Sequence, residues 1–218
     1  MKNILFLCGL IVMSCNTNKK ENTAATTQIF EQLQKIANQK SQDTYNVSFN
    51  TTLDKSQLID TATLTNLMEE FDYTQDGKNV SFKEELGSNL YLLDFVNQES
   101  FTFLSLLKPD ELGNSLYFVT LPKQNRNAEI LFVGDAAYDE FQFLSYLNGK
   151  KTNVNSYDFS AINTNYEFPE GAENGKVYIT QKDSVSFKIT ISEKGKFNKK
   201  LMDSIRTETK VMNTEKVH

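Results

Sequence analysis

The chain has 218 residues with 39% hydrophobic content, sixteen Phe, nine Tyr, no Trp, three Pro and nine Gly, which suits one generous domain or two small ones rather than a disordered chain. Its net charge of −5 divides into −10 over residues 1–175 and +5 over residues 176–218, an acidic body that disfavours nucleic acid as a partner. Both cysteines, Cys8 and Cys15, stand at the start and the single histidine is His218, so the rest of the chain lacks the residues for a disulfide, a His/Cys zinc site or a histidine-based triad.

Chain order begins with Lys2 and an apolar run, Ile4 to Met13, closed by Ser14-Cys15. The run is about half of what spans a bilayer as a helix, so it fits a cleaved signal segment better than a permanent span. Val12-Met13-Ser14-Cys15 resembles the lipobox of bacterial lipoproteins: an aliphatic residue, a variable one, a small one, then cysteine. The resemblance implies a thioether-linked diacylglycerol on Cys15, cleavage before it (removing residues 1–14), and acylation of the new amine. Without lipidation the same grammar would be an ordinary signal peptide cut near Ser14. The cysteine at the small-residue boundary favours the lipid anchor, whose several acyl chains would hold the protein on a membrane almost permanently. Asn16 follows the cysteine. In the lipoproteins this chain resembles, Asp at that place often marks inner-membrane retention, so the resemblance favours the outer membrane of the cell envelope.

Residues 16–27 are polar and lack apolar periodicity, so residues 15–27 read as a lipidated flexible tether, followed by one globular domain over 28–218. Ile29, Phe30, Leu33, Ile36 and Ala37 share one side of a helix from Gln28 to Asn38, with Thr26 or Thr27 as cap. Tyr45 to Phe49 alternates as a strand, and Leu64, Leu67, Met68 and Phe71 return to helical spacing. Asp76-Gly77 is a turn signal before a strand-like Val80 to Leu86. Leu90–Val96 with Phe101–Leu107, and Ser115–Leu121 with Ala128–Val133, read as two hairpins of strands apolar on both faces, which places them centrally.

Gly134-Asp135 opens what reads as a well-punctuated helix: Asp135 at the cap, Asp139 and Glu140 in the first turn, Gly149 past the end before Lys150 and Lys151. Residues 152–175, rich in Asn and Tyr, read as loop with short extended pieces. Lys176–Thr180 and Val185–Ile191 read as a hairpin about Gln181-Lys182-Asp183, with Val185, Phe187, Ile189 and Ile191 on the buried face. Leu201, Met202 and Ile205 suggest a short terminal helix that frays towards His218. The expected fold class is α+β: an antiparallel sheet of roughly six to eight strands carrying roughly two to four helices.

Motifs that carry chemistry are sparse. Gly171 to Val177 departs from a phosphate loop, being one residue short with Val where Ser or Thr holds magnesium, and reads as an Asn174-Gly175 turn. Asp72, Thr74, Asp76 and Gly77 match the start of a calcium loop, but Lys83 stands where a bidentate Glu belongs, so an Asp-Gly turn is the expected structure. Asp135, Asp139 and Glu140 are assigned to helix capping rather than to a carboxylate pair. Tyr91, Phe95, Phe101, Phe103, Tyr117 and Phe118 are assigned to a filled core, with a lipid or sugar pocket as the alternative. The expectation is a non-enzymatic, membrane-anchored envelope lipoprotein that binds an envelope protein, as an accessory subunit or an inhibitor. It needs no cofactor and no metal, and its only assigned site is the lipidated Cys15. The alternative is a module that binds lipid or a small ligand in an apolar pocket of the sheet.

Overall fold

Short continuous apolar runs and, after them, period-two alternation mark the chain beyond Leu90, and the strands they form stay neighbours in space in the order they follow in sequence. A computed structural model describes residues 17–37, 43–75, 78–80, 82–139, 143–167, 176–207 and 210–213. The elements are α1 (Thr17–Ala37), β1 (Thr44–Val47), a 3₁₀ turn (Lys55–Gln57), α2 (Thr61–Glu70), β2 (Asp72–Gln75), β3 (Lys78–Val80) and α3 (Phe82–Leu86). They continue with β4 (Tyr91–Asn97), β5 (Phe101–Pro109), β6 (Gly113–Pro122), β7 (Asn127–Asp139) and β8 (Phe143–Asn153). The chain closes with β9 (Ser156–Glu167), β10 (Lys176–Ile191), β11 (Phe197–Thr207) and β12 (Lys210–Asn213). The spatial order is β11-β10-β9-β8-β7-β6-β5-β4, antiparallel throughout. β1 pairs with β8 and β12 with β10, while β2 pairs with β3 and lies parallel to the start of β7. The α+β expectation therefore holds coarsely: a large antiparallel sheet dominates, and the helices are an attachment to it.

Two cores lie on the two faces of β4–β7. On one face Leu104 and Leu106 of β5 and Val119 and Leu121 of β6 pack with Ile29, Leu33, Leu64, Leu67, Phe82 and Leu86 from the helices. Ile29, Leu33 and Ala37 of α1 are buried at i, i+4, i+8 spacing. Asp60 caps α2 by accepting from the Thr63 amide at 2.9 Å, and Arg126 donates to the carbonyls of Glu69 and Glu70 at its other end. On the opposite face Phe101, Phe103, Leu116 and Phe118 pack with Tyr45, Tyr157, Phe159, Phe187 and Ile189 from β1 and β8–β10. The sheet therefore doubles back on itself about β7, and hydrogen bonds tie the halves: the Thr120 hydroxyl donates to Gly195 O at 2.7 Å and Lys199 Nζ to Val133 O at 2.8 Å.

The doubly apolar strands β4 to β6, the hairpins they form, the α1 and α2 segments and the buried face of Phe187, Ile189 and Ile191 agree with the sequence. The aromatic set is packed rather than arrayed around a space. Phe118 meets Phe103 at 5.0 Å, Tyr157 at 4.8 Å and both Tyr45 and Phe159 at 5.7 Å, while Phe95 and Tyr117 join the helix-side core.

Six segments fold differently from the expectation. Thr17–Thr27 is helical rather than a flexible tether, because Lys19, Lys20, Glu21, Ala24 and Ala25 extend the packed part of α1 with no Gly or Pro to stop it. Phe82–Leu86 is helical, which puts Phe82 and Leu86 one turn apart in the helix-side core. The helix expected after Gly134 is instead the end of β7 and the whole of β8, so Asp135 and Asp139 lie on a strand and cap nothing. Gly149 is no helix cap either: it sits opposite Phe159, and a Cβ there would lie 2.1 Å from Phe159 Cε1, so the glycine makes room for the ring. Residues 156–167, read as loop, form β9, whose alternation of Tyr157, Phe159 and Ala161 is hidden among Ser and Asn.

The last 43 residues differ most. Lys176–Ile191 is one strand, not a hairpin, since Gln181-Lys182-Asp183 offers no Gly or Asn for a tight turn and β9 pairs alongside with a register slip between Ile179 and Gln181. The expected terminal helix is β11: a bulge opposite Ser186/Phe187 absorbs one residue, so a helix-like spacing of Leu201, Met202 and Ile205 is accommodated in a strand. The Asp76-Gly77 turn, Glu140, residues 168–175 with the Asn174-Gly175 turn, and the tail 214–218 lie outside the described residues, while β2 and β3 pair on either side of Asp76-Gly77.

Phe118 is fully buried among five aromatic rings, whereas Phe132 is 45% exposed. Phe118→Ala is expected to cost about 3–5 kcal/mol in urea unfolding, and Phe132→Ala less than about 1 kcal/mol. Equal costs would mean that the sandwich core is not packed around Phe118.

Candidate functional site: an exposed edge strand and a buried polar cluster

β11 ends the sheet, so one row of its backbone groups faces away from every strand in the order. Along it Leu201, Met202 and Ile205 are 60%, 59% and 53% exposed. The register sets Asn148, Ser160 and Ser186 in one row across β8, β9 and β10, and Lys150, Asp158 and Lys188 in the next. Small Asn and Ser side chains beside long Lys side chains leave an open furrow of about 500 Å³, with Met202 among its lining residues. Lys188 and Asp158 form an ion pair at 3.9 Å within it. Over β10 and β11 six Lys and Arg stand against two Asp. Arg206 is held by Asp183 at 2.8 Å, and Lys199 lies over the Phe187 ring at 4.2 Å. A basic edge strand with one open side and exposed apolar side chains can make backbone and side-chain contacts with an extended segment of another protein.

The second feature lies inside the sandwich. Asp94 of β4 follows a bulge that turns it to face Ser105 of β5. Tyr45 enters from β1 opposite Gly149, and Tyr157 from β9 opposite Lys151 of β8. Tyr45, Ser105 and Tyr157 are fully buried and Asp94 is 4% exposed. Lys151 Nζ lies 3.7 Å from Asp94 Oδ2, and Asp94 Oδ1 accepts from the Phe95 amide at 2.9 Å. Burial raises the Asp94 carboxyl above the usual carboxylate range, with the nearby Asp43 adding to the rise; Lys151 and the Phe95 amide oppose this without overcoming it. Burial raises both phenols as well, so Tyr45 and Tyr157 stay protonated donors. The arrangement supplies hydroxyls, one carboxylate and one ammonium, with no nucleophile beside a base.

Of the residues singled out from sequence, Cys15 lies outside the described residues. Asp72–Gln75, read against a calcium loop, is strand β2, and Asp135 is exposed on β7. Among the described residues no three His, Cys, Asp or Glu side chains come together, and no helix is long and apolar enough to cross a membrane. Sequence reasoning missed the polar cluster, whose members come from five strands; its one local signal is Asp94, a lone carboxylate in the run Leu90 to Val96. It also missed the edge, because Leu201, Met202 and Ile205 read as a buried helix face. No family model, curated protein or solved structure matches the chain.

The raised Asp94 carboxyl fixes the sign of a pH effect. A group whose folded value lies above its unfolded one contributes stability that is full at low pH and lost as pH rises through the folded value. Wild type should therefore gain stability relative to Asp94→Asn as pH falls from neutral towards 3.8. Urea midpoints of the two proteins across that range test this; a gap that stays constant or moves the other way would show that Asp94 is not held towards its neutral form.

Proposed function

We propose that this chain is a membrane-anchored envelope lipoprotein, held at Cys15, that acts without catalysis by binding an envelope protein as accessory subunit or inhibitor. The observation that carries the reading is the exposure of Leu201, Met202 and Ile205 along the edge strand β11, with Met202 among the residues that line the furrow. Large apolar side chains left exposed along an open sheet edge favour contact with a partner. The cation excess of β10 and β11 disfavours a second copy of the same strand and favours an acidic, extended segment of the partner. The packing of Phe101, Phe103 and Phe118 against one another supports this reading over the alternative of a lipid-binding module, which needs that space open.

The test is crosslinking in native membranes followed by recovery of the full lipidated chain and mass spectrometry. Wild type should recover one envelope protein in near-equal amounts. Leu201→Glu/Ile205→Glu should remain membrane-bound and lose at least about tenfold of the recovered partner. Cys15→Ala should leave the membrane fraction. A partner recovered equally by the edge variant removes β11 from the proposal, absence of any partner removes the protein-binding role, and membrane retention of Cys15→Ala removes the anchor.

A further inference from the structure

Four strands from the two layers of the sandwich each aim a polar oxygen into one region of its interior: Tyr45 from β1, Asp94 from β4, Ser105 from β5 and Tyr157 from β9. The Tyr45 hydroxyl, Asp94 Oδ2, the Ser105 hydroxyl and the Tyr157 hydroxyl are buried without a protein hydrogen-bond partner in direct reach, although the Ser105 hydroxyl lies close enough to the Tyr45 phenol to offset part of the rise that burial causes. The phenols cannot swing to find one. Their rings are fixed at 6.1 Å from each other, Tyr45 is wedged against Phe118 and Phe159, and Tyr157 is stacked on Phe103 at 5.5 Å. Lys151 Nζ stands 3.7 Å from Asp94 Oδ2, beyond direct hydrogen-bond reach and at the separation where a bridging molecule is the first thing to ask about.

We propose that this cluster is a binding site for ordered internal water, which bridges the two phenols and the Ser105 hydroxyl to Asp94 and relays that carboxylate to Lys151. Charge selects the ligand. Lys151 already balances Asp94, so a bound cation would leave uncompensated positive charge in an apolar interior, and an anion would meet the Asp94 carboxylate. A neutral molecule that both donates and accepts matches three hydroxyls, each also donor and acceptor, plus a carboxylate oxygen that only accepts. Water with two to four polar partners meets that requirement, and buried polar groups are nearly always satisfied in this way when protein groups fail them. The water then joins both layers of the sandwich at one end, as the Thr120–Gly195 hydrogen bond joins them elsewhere.

Two measurements on the full chain in detergent test the site. Tyr45→Phe and Tyr157→Phe each delete one hydroxyl while keeping the ring. If water satisfies the phenol, each should raise the unfolding equilibrium constant about fivefold, and the double variant should fall short of the product because the two share the water. An unchanged or lowered constant overturns the proposal, since removing a phenol without a partner relieves a cost. A crystal structure at high resolution should place a solvent peak about 2.6–3.2 Å from at least two of the four oxygens. Hydroxyls bonded directly to one another with no peak, or density larger than water, overturn it equally, whatever the variants do.

Discussion

The constraint on which this fold depends is that β4, β5 and β6 are apolar on both faces. Phe101-Thr-Phe-Leu-Ser-Leu-Leu107 sends Phe101, Phe103 and Leu107 one way and Leu104 and Leu106 the other, and all are buried. A strand of this kind cannot border water on either side; each fully buried large side chain is worth about 1.5–3 kcal/mol relative to leaving it exposed. Two covers are required, and the chain makes them from different materials. The helices cover one face with Ile29, Leu33, Leu64 and Leu67, and the continuation of the same sheet folds over the other with Tyr157, Phe159, Phe187 and Ile189. With no cysteine past Cys15, these two contacts carry the fold without a crosslink.

Covering a sheet with its own continuation has two consequences. At one end of the sandwich, polar side chains are enclosed along with apolar ones, because Asp94, Ser105, Tyr45 and Tyr157 occupy inward positions of strands whose other inward residues are Phe and Leu. An ionised Asp94 without Lys151 would be very costly there, and the pair still leaves the carboxyl raised. At the far side the continuation must stop, and it stops at β11. Lys199, Lys200 and the bulge near Met202 are the features that keep an edge from pairing with its own kind, yet Leu201, Met202 and Ile205 remain uncovered. Protection against self-association beside exposed apolar side chains is the pattern that motivates the proposed contact with an acidic partner.

The central layer was legible in the sequence, because burial on both faces writes a short continuous apolar run, and its length and the polar breaks at its ends mark it as strand rather than buried helix. The helices α1 and α2 were legible from their i, i+4 stripes. What misled was the outer layer. Strands β7 to β10 bury mainly a single face, and their other face is rich in Asn, Ser, Asp and Lys, so residues 134–149 imitate a capped helix and residues 156–167 imitate a loop. Gly149 shows why local rules fail there: its reason is the Phe159 ring across the ladder, which no window around residue 149 contains. The polar cluster is illegible for the same cause, since its side chains meet through pairings that span 112 residues from Tyr45 to Tyr157.

The acidic body and basic final section, visible as a bare count, acquire a physical place once the strands are ordered. The basic section is centred on the outermost pair β10 and β11, with Lys188 and Arg206 partly answered by Asp158 and Asp183 and Lys199 turned onto the Phe187 ring and Val133 O. The acidic residues are spread more widely, over helices, connecting segments and the strands β4, β7 and β9, with Glu70 meeting Arg126 at the end of α2. A molecule polarised in this way orients an approaching partner before contact, since opposite charge steers at distances where apolar side chains exert no pull. In the proposed contact the exposed apolar side chains would contribute only after docking: the basic strand would govern which partner arrives and how fast, and Leu201, Met202 and Ile205 how long it stays.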